Sequence, residues 1–292
     1  MKDGFINVLK PPGMTSHDVV GAVRRLLKLK KVGHAGTLDP GAAGVLPVAV
    51  GRATRLIEYV ADVDKSYRAE LVFGIATDSG DDLGTVIEAE QEFIMPSEEQ
   101  IKVAFTALTG EIEQIPPVYS AIKIHGQRAC DLARKNIEVE IPVRKVTIYN
   151  LSLLERRENT ILFDVHCSKG TYIRTLCADI GKRLGIPATM SFLLRTRVGE
   201  FRGAEAVTLD ELRQQGENAI MPAESCLKGM PRFDLWEQRV KAFCNGLPTR
   251  VADECGAVPL AVYFQDELLG IARYDRENSS IVPVKVYKTL YK

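Results

Sequence analysis

The chain has 292 residues, 46% hydrophobic and 26% charged, with 38 Lys plus Arg against 38 Asp plus Glu. This is the composition of a globular protein long enough for one large domain and a small one, and its zero net charge announces no polyanion partner. No apolar run reaches membrane-spanning length, the amino terminus lacks the order of a signal peptide, and the six cysteines have no C-x-x-C spacing, so the expected setting is the cytoplasm with reduced thiols.

Thr15 and Asp18 form a capping-box pair, and Val19, Val20, Val23, Leu26 and Leu27 fall on one face, which predicts a helix over 16–31 leading into Gly33. Arg24, Arg25, Lys28, Lys30 and Lys31 gather positive charge there, suiting either phosphates or a solvated helix end. Alternation over 67–74 predicts a strand starting at Tyr67. Ser97 and Gln100 cap a helix carrying Ile101, Phe105 and Leu108, which Gly110 ends. Residues 143–154 and 160–167 read as strands joined by the polar turn Arg156 to Asn159. Ile173, Leu176, Ile180 and Leu184 make a helical stripe that runs to Gly185, and Thr208 with Glu211 starts another helix. Beyond Pro231 come a short helix near Trp236 to Phe243 and the apolar runs Val258–Phe264, Leu268–Tyr274 and Ile281–Tyr287, a small β-rich appendage.

Chemistry is expected between Gly33 and Arg55, a stretch with a single ionisable acid, Asp39. Gly33, Gly36, Gly41 and Gly44 permit positive φ and close approach to a ligand, and Pro40 holds Asp39 extended. The same residue types also make an ordinary turn. Other chemistries lack their residues. The Gly181-Lys182 pair is followed by Arg183, so there is no phosphate-binding P-loop. His17, His34, His125 and His166 are too scattered for metal-ligand spacing, and no metal is expected. The next acid after Asp39 is Glu58, which argues against the paired carboxylates of glycoside hydrolysis.

Five separated segments settle between these readings: KPPGMTSHDVV from Lys10, GHAGTLDPGAAGVLPVAVGRATR from Gly33, DKSYRAELVFG from Asp64, GEIEQIPPVYSAIKIHGQRACDLAR from Gly110 and SKGTYIRTLCADIG from Ser168. In order and spacing they resemble the TruB family of RNA pseudouridine synthases, across most of residues 4 to 202. The continuation GVLPVAVGRAT resembles the bacterial branch, which acts on position 55 in the T loop of transfer RNA. Ala129-Cys130 departs from the family pattern, which usually has an aromatic there.

The resemblance implies an α+β fold, with a large mixed, mainly antiparallel sheet flanked by helices and loops and a small PUA-like carboxy-terminal domain. The implied division is a catalytic domain over 1–230, with an RNA-binding insertion at about 110–143, and the small domain over 231–292. By resemblance Asp39 is the nucleophile, Arg174 its ionic partner and Tyr67 the residue that stacks on the base and assists loss of the C5 proton. His34, Lys10, Tyr172 and Leu194 are implied to bind substrate or brace the loop, and Lys123, Arg128 and Arg134 to face RNA. Tyr172 and Arg174, two residues apart, would face the same way in an extended segment. The implied reaction uses no cofactor, on the T arm of transfer RNA, by a monomer with no obligatory protein partner and no membrane. A guide-RNA-directed synthase and a non-catalytic RNA-binding or RNA-folding protein are the alternatives.

Overall fold

The computed structural model describes residues 3–120, 122–124, 126–129, 132, 140–252, 255–256 and 258–288. In chain order the larger, amino-terminal part runs β1 (Gly4–Lys10), α1 (Ser16–Leu26), β2 (Val32–His34), β3 (Ala43–Val50), α2 (Ile57–Ala61), β4 (Lys65–Phe73), β5 (Ile75–Thr77), β6 (Val86–Ala89), α3 (Glu98–Ala107) and β7 (Gly110–Gln114). It continues through β8 (Lys123–Ile124), β9 (Gln127–Arg128), β10 (Arg144–Arg156), β11 (Thr160–Cys167), α4 (Ile173–Leu184), β12 (Ala188–Val198), β13 (Phe201–Arg202) and α5 (Leu209–Gln215). The remainder is β14 (Arg232–Asp234), α6 (Glu237–Cys244), β15 (Thr249–Arg250), β16 (Leu260–Phe264), β17 (Glu267–Asp275) and β18 (Ser280–Val286).

The capping boxes at Thr15, Ser97 and Thr208 all form. Helix α1 stops at Leu26, short of the expected 31, because Lys28 takes a left-handed φ of 54° and Leu29 N–H turns back to the Arg24 carbonyl. Only Arg24 and Arg25 of the basic cluster therefore sit on its last turn, where cations complement the helix dipole. Strand β4 begins at Lys65, two residues before the expected start.

The main sheet has nine strands in the order β1-β3-β12-β4-β11-β10-β7, with β2 on β3 and β13 on β12. Every pairing is antiparallel except that of β3 with β12, so the sheet is mixed and mainly antiparallel, as expected. Alternation gives β4 two different faces. Lys65, Tyr67, Ala69, Leu71 and Phe73 are buried, the last three beneath a core that includes Ile101 and Phe105 of α3 and Ile173, Leu176 and Ile180 of α4. Burial of each such large side chain is worth about 1.5–3 kcal/mol. Ser66, Arg68, Glu70 and Val72 lie on the half-open rear face.

At the other end of the sheet both faces are covered. Ile6, Val8, Leu46 and Val48 pack on Val19 and Val23 of α1 and Leu212 of α5. Phe5, Val45 and Ala49 meet Ala261, Tyr263, Leu268 and Ile271 of a second, five-stranded sheet ordered β14-β16-β17-β18-β15. The far side of that sheet has its own core, built on Val240 and Phe243 of α6. Among the described residues no helix is long and apolar enough to cross a membrane.

Candidate active site

The site lies where the main sheet forks. Strand β3 pairs with β1 along its length, but its other edge is divided: Ala43 and Gly44 pair with β12, whereas Val48 to Val50 pair with β2. Pro47, between them, has no N–H to offer a ladder. The segment 35–42 fills the wedge between the diverging strands. Ala35 N–H donates to the Pro47 carbonyl at 2.9 Å.

The backbone of this loop is held at nearly every residue. The Ser16 hydroxyl bonds both the N–H and the carbonyl of Leu38, at 2.9 and 3.2 Å. The Asp39 carbonyl accepts from Ala42 N–H at 3.1 Å, and the Pro40 carbonyl from Gly13 N–H at 2.9 Å. Lys10, fully buried, donates its ammonium to the carbonyls of Pro11, Pro40 and Ala42 at 2.9, 3.2 and 2.6 Å. Its three donors are thus engaged, two of them by the loop and one by Pro11, a bracing position rather than a ligand-facing one. Arg195, also fully buried, donates to the carbonyls of Gly36, Thr37 and Val45 at 3.0, 3.2 and 2.8 Å.

Of the four glycines expected at positive φ, only Gly36 and Gly44 adopt it, at 90° and 115°. A Cβ on Gly44 would stand 2.2 Å from the Arg195 carbonyl oxygen, and one on Gly36 would lie 3.5 Å from its Nη1. Gly44 makes room for the Arg195 backbone, whereas at Gly36 a side chain is opposed by the positive φ and not by Arg195.

The Asp39 carboxylate emerges from this frame with 41% of its side chain exposed, 3.2 Å from Nε of Arg174. Arg174 is the second residue of α4 and its side chain is only 6% exposed. Nη1 donates to the Ser79 carbonyl at 2.9 Å and lies 3.6 Å from the Asp81 carboxylate; Nη2 donates to the Tyr119 carbonyl at 2.9 Å. One guanidinium thus joins the catalytic-loop candidate, the β5–β6 turn and the segment before β8. Gly80 must lack a side chain here, since at φ 73° its Cβ would press within 3.3 Å of Arg174 Cβ. Enclosure pushes the Asp39 carboxyl above the usual carboxylate range; Arg174 opposes this, and Asp81 acts with it.

Tyr67 projects from the buried face of β4, paired across the sheet with Val165 and Arg195. It packs with Leu38 and Ala42 of the loop, and burial pushes its phenol up to about 12 although Arg195 pulls the other way. His34 ends β2 half-buried, its Nδ1 enclosed with no hydrogen-bond partner among the described residues. Burial, with Arg195 and His17 nearby, holds its ring below the ordinary histidine value, so it is neutral at pH 7.

Two expectations are corrected. Tyr172 is the N-cap of α4 and the helix begins at Ile173, so Tyr172 and Arg174 do not share an extended segment. The chain turns there because Gln114 receives Tyr172 N–H at 3.1 Å, and the partly buried phenol still lies near Arg174 and Asp39. Leu194 pairs with Arg68 and so points to the rear of the sheet, opposite Tyr67. Leu193, one residue earlier and paired with Ala69, is buried on the Tyr67 face. Sequence reading also missed Asp81, indistinguishable among the acids of 78–92, and Arg195, which carries no local signal. Arg134 and the side chains of Lys123 and Arg128 lie outside the described residues. Among the described residues no three His, Cys, Asp or Glu side chains converge on a metal position.

Comparison with known proteins identifies the family and the fold. Residues 24–173 match the family described as TruB family pseudouridylate synthase (N terminal domain), and residues 174–228 match the tRNA pseudouridylate synthase B C-terminal domain. The tRNA pseudouridine synthase B of Alkaliphilus oremlandii is 41% identical over 298 residues, covering 99% of each chain. That of Symbiobacterium thermophilum is 49% identical over 252 residues, covering 85% of this chain and 84% of the relative. The structure of an H/ACA RNP bound to a substrate RNA containing 2'-deoxyuridine superposes with a TM-score of 0.75 at 27% identity, over 98% of this chain and 85% of that one. A Cbf5-Nop10-Gar1 complex gives 0.75 at 29%, over 99% and 85%. Fold and family matches together define a pseudouridine synthase. Within that class, the chain belongs to the TruB family.

Proposed function

We propose that the protein isomerises uridine 55 in the T loop of transfer RNA, with Asp39 as the nucleophile. The observation that carries this reading is the Asp39–Arg174 pair, in which a carboxylate stays open to solvent while a buried guanidinium 3.2 Å away aims it. The N1–C1′ bond breaks, the uracil turns over and C5 joins C1′; the C5 proton departs and N1 regains one, with no change of oxidation state. Enclosure that raises Asp39 leaves a more basic carboxylate, and the Arg174 charge favours its ionised form. Tyr67 and Leu193 supply an apolar wall against the base, with the Tyr67 phenol beside C5.

Flipping the target nucleotide costs about a few kcal/mol, which other contacts must offset. In this reading His34 fills the space the flipped base leaves, Tyr172 lines the opening and Lys10 braces the loop. The catalytic unit takes in residues 1–230, with 110–143 facing RNA, and 231–292 form the PUA-like appendage. The protein works as a cytoplasmic monomer; the buried thiols of Cys167 and Cys177 suit a reducing compartment.

The test is to map modified uridines in transfer RNA incubated with pure protein, and to follow tritium released from C5-labelled uridine. Pseudouridine at position 55, lost in Asp39→Asn with T-arm binding retained, is the expected result. Turnover of Asp39→Asn near wild type would sink the assignment. Activity on a bare T-arm stem-loop separates this reading from a guide-RNA-directed synthase.

A further inference from the structure

Arg195 is 1% exposed, and among the described residues no carboxylate lies within ion-pair distance of it. A buried cation with no carboxylate in direct contact, only the more distant charge of Asp39, costs stability, and a well-packed apolar side chain would fill the same volume at less expense. What an apolar side chain cannot do is hold three carbonyls in fixed, diverging directions. The planar guanidinium does this, with Nη2 and Nη1 on Gly36 and Thr37 before Asp39 and Nε on Val45 after it.

The backbone of the same residue spans the fork. Arg195 pairs with Gly44 of β3 on one side and Tyr67 of β4 on the other. Its guanidinium also lies beside the Tyr67 phenol. A single residue therefore touches the segment leading into Asp39, the segment leading out and the aromatic residue facing the base. The sequence makes room for its backbone at Gly44, where a Cβ would stand 2.2 Å from the Arg195 carbonyl oxygen.

We propose that Arg195 is a positioning residue of the isomerisation, fixing the separation between the Asp39 carboxylate and the Tyr67 ring by tying the loop to the sheet at Tyr67's own register. This rests on the nucleophile reading given above. Arg195 touches no substrate; it acts through the loop. Because Ala35 is held by Pro47, Leu38 by Ser16, and Pro40 and Ala42 by Lys10, losing the guanidinium frees the Gly36 and Thr37 carbonyls just before Asp39 and leaves the rest of the loop in place.

The test uses Arg195→Met and Arg195→Lys in the full-length protein, comparing RNA dissociation constant, single-turnover rate of pseudouridine formation and thermal midpoint. The expected result is RNA affinity within about threefold of wild type, with the rate down about 100-fold in Arg195→Met, the loss typical of a displacement near 1 Å. Arg195→Lys should recover part of it, to about tenfold below wild type, because an ammonium keeps the charge but cannot match the fork. A purely structural role would lower the midpoint and leave the rate of the folded fraction unchanged. Rates within about threefold of wild type in the folded variants overturn the inference, as does a loss of RNA affinity that accounts for the whole loss of rate. Should Arg195→Met not fold, Arg195→Lys decides by the same criterion. Wild-type protein that forms no pseudouridine overturns both readings; active wild type with equally active variants overturns this one alone.

Discussion

Two aspartates of this protein each face an arginine at similar exposure, and their carboxyls are displaced in opposite directions. Asp64, 33% exposed, accepts on one oxygen from both His166 and Arg197, whose Nη2 also lies 2.8 Å from the imidazole. Burial alone would raise it, but the His166 hydrogen bond and the Arg197 charge outweigh burial and hold it below the usual range. Asp39, 41% exposed, has a single cation at 3.2 Å, and that cation is shared with Asp81. Burial wins there. The first arrangement saturates a charge, while the second leaves a carboxylate with fewer donors, the one proposed above as the nucleophile. Proximity to arginine does not separate them; the balance of burial against donors does.

Neutralising each aspartate tests that contrast at its widest. Asp39→Asn is expected to lower single-turnover pseudouridine formation by about 10⁴-fold or more, whereas Asp64→Asn should leave it within about threefold. Comparable losses in both would break the distinction.

The cation at the head of β4 gives the next effect. Lys65 donates to the carbonyls of Ala61 and Val63, and burial pulls its ammonium from 10.5 down to about 8. A lysine lowered on folding binds fewer protons in the folded than in the unfolded state between those values, so stability rises with pH across that window. The stability difference between wild type and Lys65→Met should therefore grow in favour of wild type from pH 8 to 10.5, by about 3 kcal/mol at most. Urea unfolding of both proteins at the two pH values measures it, and a flat difference would remove the buried charge from the account.

Asp81 offers a finer probe. Its charge raises Asp39, so Asp81→Asn should move the acid limb of the pH–rate profile to lower pH. Arg174 keeps the Ser79 and Tyr119 carbonyls, and the plateau rate should fall by only about tenfold. The smallest effect is on the rear face. Asp64→Asn should cost about 1 kcal/mol at pH 7, given the partial exposure of its partners. That gap should close as pH falls below about 3.9, where the unfolded carboxyl protonates.

Much of this fold could be read from local patterns, because capping boxes and alternation report on neighbours in sequence. Strand β11 begins and ends where the alternation of Ile161, Phe163, Val165 and Cys167 predicts, and α4 stops where Gly185 predicts, with that glycine as its left-handed cap. Patterns failed where a tertiary contact decides. Helix α1 was overextended because nothing in LKLKK marks Lys28 as the left-handed residue. Leu194 was misplaced by one residue, which in a strand is a whole face. Asp39, Tyr67 and Arg174 were legible only through their joint motif context. Arg195 was not legible at all, since its partners lie about 150 residues away and are backbone atoms that any sequence supplies.

The forked sheet also sets a limit on variation. Surface loops ordinarily absorb insertions and deletions because their two ends are their only constraints. The segment 35–42 is instead an inlay, bonded to β3, α1 and β12 along its length, so its residue count is as fixed as that of a strand. An added residue between Gly36 and Ala42 would have no bulge to occupy. Changes in length between diverged relatives should collect elsewhere, for example at the Arg157–Asn159 turn, and leave these eight positions in step.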